Sequence, residues 1–352
     1  MMTEASASTR YVATCLYGLE GILADEVRER LGAEPQSQWC EVSFRFDGSA
    51  ARLRDLRLAG NVFMEFDRFP IGHTMAELDV VAEHLRAVPL DAWEARWCGL
   101  QGLSSGEIGV TVQRRGEHNF TYQDVEECAV GALSQATGRK VTLEPRPLEL
   151  RIEVEAEWCR LMGRLTPTPL SERPYKRFRS SADTDATLAA AMVRLSRPRP
   201  GDLFLDPFCG AGTIPIERAL RGRATAIVAG ELKEKRLAWA VGNAGLAGVQ
   251  VAFGCWDALK LPFADRAFTR VVTSPPQSNP VDGRPWGFED FAPLVAECFR
   301  VLQYGGAAVW LMERGPLLKR ALKHLGITHP AKLLACNWKG RSWTIYTVEK
   351  VM

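Results

Sequence analysis

The sequence predicts an α/β protein, with a doubly wound, mostly parallel sheet in its second half and smaller α+β units before it. Three observations predict this. Short apolar strands alternate with helical stripes from about residue 181 to 352, the pattern of strand–helix crossovers. A glycine-rich turn stands between the first of those strands and its helix. Just upstream, Pro167, Pro169 and Pro174 break all periodicity, as a linker does.

In the first 68 residues the order is β-α-β-α-β. Residues 11–16 are β-rich, and Leu19, Leu23, Val27 and Leu31 form a helical stripe. Residues 41–46 alternate as a strand, 50–58 read as a helix and 62–66 as a strand. This is a small α+β unit. A second unit spans 69–165. Residues 75–88 are helical, 107–113 form a strand, and 122–137 form a helix that stops before Gly138, a C-cap residue. Residues 148–154 and 159–165 read as paired strands. The linker is placed at 166–180.

Beyond it, residues 203–206, 226–229, 249–253, 270–273 and 307–311 are predicted strands. Helices are predicted from Thr213 and over 233–244, 291–302 and 317–325. The end reads as a hairpin, 332–338 and 342–349, turning at Lys339-Gly340-Arg341 and adding an antiparallel edge.

Composition excludes several classes. Of 352 residues, 46% are hydrophobic and 24% charged, which rules out a disordered chain, a collagen and a coiled coil. No apolar run approaches the ~20 residues that span a bilayer, and residues 1–10 lack a signal-peptide core. Nine cysteines are widely spaced with no CxxC pair, against a disulfide framework or a zinc knuckle. Five histidines show no ligand spacing, so no metal is expected. A soluble, cytoplasmic monomer is the expectation. The net charge of +2 is unevenly spread. Residues 1–180 hold 22 Lys and Arg against 27 Asp and Glu, leaving the excess of cations in the second half.

The chemistry-bearing segments sit at strand ends. Asp206-Pro207-Phe208-Cys209-Gly210-Ala211-Gly212-Thr213 joins a strand to a helix. Its glycines permit a tight turn whose N–H groups face a ligand at the helix N-terminus. Pro215 stands where a dinucleotide fingerprint needs its third glycine. Glu231 follows the second strand, where a carboxylate can accept from ribose hydroxyls. Asp257 follows the third, placed to accept from an adenine amino group. The fourth strand ends in Ser274-Pro275-Pro276-Gln277. Its two prolines stiffen the turn and leave carbonyl oxygens, with the Ser274 hydroxyl, to hold an exocyclic amine.

These segments resemble the class I S-adenosylmethionine-dependent methyltransferases. Over nearly its full length the chain is similar to the THUMP-domain RNA guanine-N2 methyltransferases. The likeness includes Tyr17-Gly18-Leu19-Glu20, the segment from Arg115 to Thr121, Arg173-Pro174-Tyr175-Lys176-Arg177 and the helix from Thr187. It implies a ferredoxin-like domain (1–68), a THUMP domain (69–165), the linker, and a Rossmann-like catalytic domain (181–352). It implies S-adenosylmethionine as cofactor, its methionine part at the glycine turn, its ribose at Glu231 and its adenine at Asp257. It implies tRNA as partner and guanine N2 as target, with Ser274, Pro275, Pro276 and Gln277 at the catalytic position. Arg173, Lys176, Arg177 and Arg179 are expected to meet phosphate.

Two departures stand out. The family motif begins with Asn or Asp and ends with Tyr, whereas this chain has Ser274 and Gln277. The missing aromatic normally stacks on the flipped base, and Trp286 or Phe288 is the expected substitute. A catalytically degenerate RNA-binding protein with an intact cofactor pocket, or a methyltransferase on another RNA, are the alternatives.

Overall fold

A computed structural model describes residues 9–101, 106–180, 183–276, 286–313, 315–327 and 332–351. The chain divides into two compact units, one reaching Leu170 and the other starting at Ser171, with Leu16–Leu19 counted in the second.

The first unit contains β1 (Arg10–Thr14), α1 (Glu20–Leu31), β2 (Pro35–Gln38), β3 (Glu41–Arg45), β4 (Val62–Pro70), α2 (Glu77–Arg86), α3 (Leu90–Gln101), β5 (Ile108–Arg115), α4 (Tyr122–Thr137), β6 (Val141–Thr142), β7 (Leu148–Glu155) and β8 (Trp158–Arg164). All eight strands join one sheet, in the order β2-β3-β1-β4-β8-β7-β5-β6. The border expected between residues 68 and 69 therefore falls inside β4. That strand pairs with β8 from Phe63 to Pro70, and the pairing covers backbone edges that two separate sheets would leave open. The expected helix at 50–58 is a 3₁₀ segment, Ala50–Asp55.

Local signals account for α4. Thr121 and Asp124 cap each other at its start, and Gly138, at φ 64°, ends it. Sequence periodicity does not mark α3. Its Trp93 and Trp97 are one helical turn apart and buried, so their burial, not an apolar stripe, holds it.

The second unit contains α5 (Ala186–Leu195), β9 (Leu203–Asp206), α6 (Thr213–Arg221), β10 (Ala226–Gly230), α7 (Glu234–Ala247), β11 (Ala252–Gly254), β12 (Phe268–Thr273), α8 (Phe288–Val301), β13 (Leu302–Met312), α9 (Gly315–His324), β14 (Lys332–Trp338) and β15 (Arg341–Glu349). The sheet order is β11-β10-β9-β12-β13-β15-β14. The first five strands run parallel, and β15 and β14 close the edge antiparallel. The strand order reverses direction at β9 and β12, whose carboxyl ends open a crevice where ligands bind in such sheets. Beneath it, Phe291, Leu294, Val295 and Cys298 of α8 and Leu318 and Leu322 of α9 pack on Leu205, Val271, Ala308 and Trp310. Ile216 of α6 and Ala244 of α7 pack with Tyr175. Among the described residues no helix is long and apolar enough to cross a membrane.

Candidate active site

A cavity of about 540 Å³ opens at the carboxyl edge of β9, β10, β11 and β12, wholly within the second unit. The β9–α6 turn forms its floor. Asp206 ends β9 fully buried, and its Oδ1 accepts from Phe208 N at 3.1 Å. Cys209 N donates to Gly230 O at 2.8 Å, and Gly212 N to Cys209 O at 2.7 Å. Gly210 and Gly212 hold φ of 54° and 85°, a left-handed path that a side chain disfavours. Gly212 is also the N-cap of α6, and it makes no side-chain capping hydrogen bond at that helix end. Its first N–H groups and the positive end of its dipole face the cavity.

Electrostatics sharpen the role of this floor. Burial pushes the Asp206 carboxyl up to about 7, against the pull of the nearby Thr273 hydroxyl and the Phe208 N–H. Its Oδ2 is buried with no hydrogen-bond partner. A cation bound above it relieves that cost. Burial also raises the Cys209 thiol well above its ordinary range, so Cys209 is a wall and not a nucleophile.

Glu231 stands just past β10, almost buried. Its Oε1 accepts from Lys233 N at 3.0 Å, and Arg236 lies 4.0 Å from Oε2. Arg236 also reaches Asp183 at 3.6 Å and the Ser180 hydroxyl at 3.0 Å. Asp257 is exposed at the rim and caps Leu259 N at 2.9 Å. Between the two acids the Trp256 ring forms a wall. It occupies space that a Cβ at Gly230 or Gly254 would fill, since either would sit 2.0 Å from the ring. On the opposite side Ser274, Pro275 and Pro276 line the cavity at the end of β12, with Pro275 buried. Gln277 lies outside the described residues.

Pro207, Phe208, Cys209, Gly210, Thr213, Glu231, Asp257 and Ser274–Pro276, all anticipated from sequence, thus converge on one cavity. Asp206 and Gly212 support it from below. Sequence reasoning missed Asp183, Thr184 and Arg236, which also line it. It also missed Asn243. This buried side chain donates to Phe178 O and Ala211 O at 2.8 and 2.9 Å, and accepts from Phe178 N at 3.1 Å. It ties Phe178 to the glycine turn at Ala211. An Asn on the inner face of a predicted helix is the signal that was available.

The basic linker needs correction. Arg173 donates from Nε to Glu217 Oε1 at 3.0 Å, with both side chains buried, and Tyr175 donates to the same oxygen at 2.7 Å. Its guanidinium is therefore committed to the interior and not to phosphate. Lys176 Nζ donates to Thr184 O at 2.6 Å, and burial lowers its pKa. Only Arg177 and Arg179 of the four are exposed. The expected substitutes for the missing aromatic also differ. Trp286 lines the cavity, but Phe288 packs toward α9, with Arg320 4.1 Å from its ring.

The donor set fits the cofactor the sequence implies. A helix N-terminus, the Glu231 carboxylate and an aromatic wall line one cavity, and the buried Asp206, with an oxygen that no hydrogen bond satisfies, lies beneath its floor. Among the described residues no three His, Cys, Asp or Glu side chains gather as a metal site.

The comparisons agree with this architecture. Residues 173–328 match the UPF0020 family, described as an RMKL-like methyltransferase domain. A Thermus thermophilus protein named tRNA (guanine(6)-N2)-methyltransferase is 35% identical over 229 residues, which cover 64% of this chain and 67% of that protein. The chain belongs to this methyltransferase family. The crystal structure of TrmN from Thermus thermophilus superposes on this family member with a TM-score of 0.81 at 29% identity, covering 97% of this chain and 100% of TrmN. A mouse relative, tRNA (guanine(6)-N(2))-methyltransferase THUMP3, is 24% identical, and the match covers 68% of this chain but 51% of that protein. The match to the family's Methanocaldococcus jannaschii member covers 31% of each chain.

Proposed function

We propose that this chain is an S-adenosylmethionine-dependent RNA methyltransferase that modifies N2 of a guanine in tRNA. The convergence of the glycine turn, Glu231, Asp257 and Ser274–Pro276 on one carboxyl-edge cavity carries the reading. Family membership and the names of its relatives support the substrate. Residues 1–68 and 69–165 are read as ferredoxin-like and THUMP parts sharing one sheet, and the chain is read as a cytoplasmic monomer.

When bound, the cofactor would supply an electrophilic methyl group on its sulfonium sulfur, which leaves as a neutral thioether as the methyl is transferred. The Asp206 carboxylate favours the cationic end, and the N–H groups at the start of α6 face the cofactor's carboxylate. Glu231 accepts from the ribose hydroxyls and Asp257 from the adenine amine. Ser274 and the Pro275 carbonyl accept hydrogen bonds from the target amine and aim its lone pair at the methyl carbon, so catalysis is chiefly positioning. The amine proton leaves to water at the open mouth. Arg177 and Arg179 add phosphate contacts whose strength falls with salt.

The test is transfer of radiolabelled methyl to unmodified tRNA transcript, followed by nucleoside mass analysis. Label in N2-methylguanosine is expected. Cofactor binding with no transfer to any RNA would leave the degenerate-pocket alternative. Label in another nucleoside would refute the guanine assignment.

A further inference from the structure

The tip of the closing hairpin carries an aromatic pair that the mechanism above does not use. β15 pairs with β13 only as far as Thr344 opposite Met312. Arg341, Ser342 and Trp343 therefore run past the end of β13, about 10 Å at ~3.3 Å per residue. β14 accompanies them, with Cys336 opposite Trp343 and Trp338 opposite Arg341. Trp338 and Trp343 are thus diagonal neighbours on one face of the hairpin. Their ring centroids are 5.2 Å apart, with the planes at 56°. Lys339 and Gly340, at φ 52° and 70°, make the two-residue reversal. Arg341 holds the tip to Glu313, just past β13, at 3.0 Å.

Trp338, Lys339 and Trp343 line the same cavity as Ser274–Pro276. Both tryptophans are half-buried, and Lys339 Nζ lies 4.5 Å from the Trp338 ring. Other aromatics at the cavity are committed to packing. Trp286 meets Phe208 and Phe291 edge-on, at 5.5 and 5.7 Å. Trp256 fills the gap left by Gly230 and Gly254.

We propose that Trp338 and Trp343 form the stacking surface for the target base, with Lys339 beside its phosphate. This rests on the guanine-methylation reading above. It gives the site an aromatic face where the motif ends in Gln277 instead of tyrosine. The hairpin supplies it from the antiparallel edge of the sheet, opposite the strands that hold the cofactor.

The test compares Trp338→Leu, Trp343→Leu and the corresponding Phe variants by methyl transfer to tRNA and by calorimetry with S-adenosylmethionine. Stacking strength sets the expected loss in kcat/KM for tRNA at between about fivefold and a hundredfold in the Leu variants. Phe variants should stay within about threefold of the parent, because a ring face remains. Cofactor affinity should change less than about twofold in all four. A second readout needs no variant. With 2-aminopurine at the position the parent methylates, binding to the parent should quench its fluorescence, as stacking does. Leu variants that match the parent, or an unquenched probe, would overturn the stacking surface and leave the guanine reading standing. A parent that methylates no tRNA would overturn both.

Discussion

Replacing Arg173 by Gln separates two roles for the linker. In the structure its side chain is 5% exposed and that of Glu217 is 0% exposed, 3.0 Å apart. Removing one partner of a buried pair costs about 3–5 kcal/mol, because the remaining charge stays desolvated without its counter-ion. With no solvent path to Glu217, the upper part of that range applies. The second unit runs from Ser171 to Met352, and a domain of that size loses roughly 2–4 °C per kcal/mol. The melting transition of this unit should therefore fall by about 8–20 °C in scanning calorimetry. At 20 °C, where the variant is folded, tRNA affinity in a filter-binding assay should stay within about twofold of the parent. Arg173→Met combined with Glu217→Leu should recover most of the loss, since it removes both charges together. A variant that melts within 2 °C of the parent yet binds tRNA tenfold more weakly would refute the buried-pair argument.

Other expectations concern the cavity floor and its supports. Burial raises the Asp206 pKa from an unfolded value near 4 to about 7. The folded state then holds a proton that the unfolded state has released, so stability is lost as pH rises from about 4 through 7. Asp206→Asn should remove roughly 2–3 kcal/mol of that decline between pH 5 and 8, read by urea unfolding. Calorimetry of cofactor binding near pH 7 in buffers of different ionisation enthalpy should show proton release, because a cationic ligand favours the carboxylate. Gly212→Ala forces a side chain into φ 85° with its Cβ 3.1 Å from Ala240 Cβ. It should destabilise the unit by about 1–3 kcal/mol and weaken cofactor binding, whereas Gly201→Ala, with open space around it, should change neither. Asn243→Ala should weaken cofactor binding by calorimetry, since Phe178 loses its tie to the glycine turn. Unchanged affinity would mean that other contacts hold Phe178.

Much of this was legible in the sequence where the deciding forces are local. The strand 203–206, the turn and the start of the helix at Thr213 fall where periodicity and glycines put them. The helix over 122–137 is bounded by its own capping box and Gly138. The hairpin turn is written in Lys339-Gly340. Acids and prolines at strand ends pointed to the cavity because parallel sheets gather ligands at one edge. Less legible were the residues whose roles depend on distant partners. Trp93 and Trp97 define α3 only through burial, and β2 consists of polar residues with no strand alternation.

The sequence by itself determined the strand–helix alternation, the left-handed glycine turn and the side chains at each strand end. Those follow from short-range backbone preference and from apolar period, both properties of neighbours in the chain. Tertiary structure alone decided which charges meet solvent. Arg173 and Arg177 look alike in sequence, yet one is paired with Glu217 in the interior and the other is exposed. It also decided that the hairpin overhangs the cavity, because the β13–β15 register fixes how far the tip extends. Pairing and register join residues far apart in the chain, and no local preference encodes which partner an arginine or a tryptophan will find.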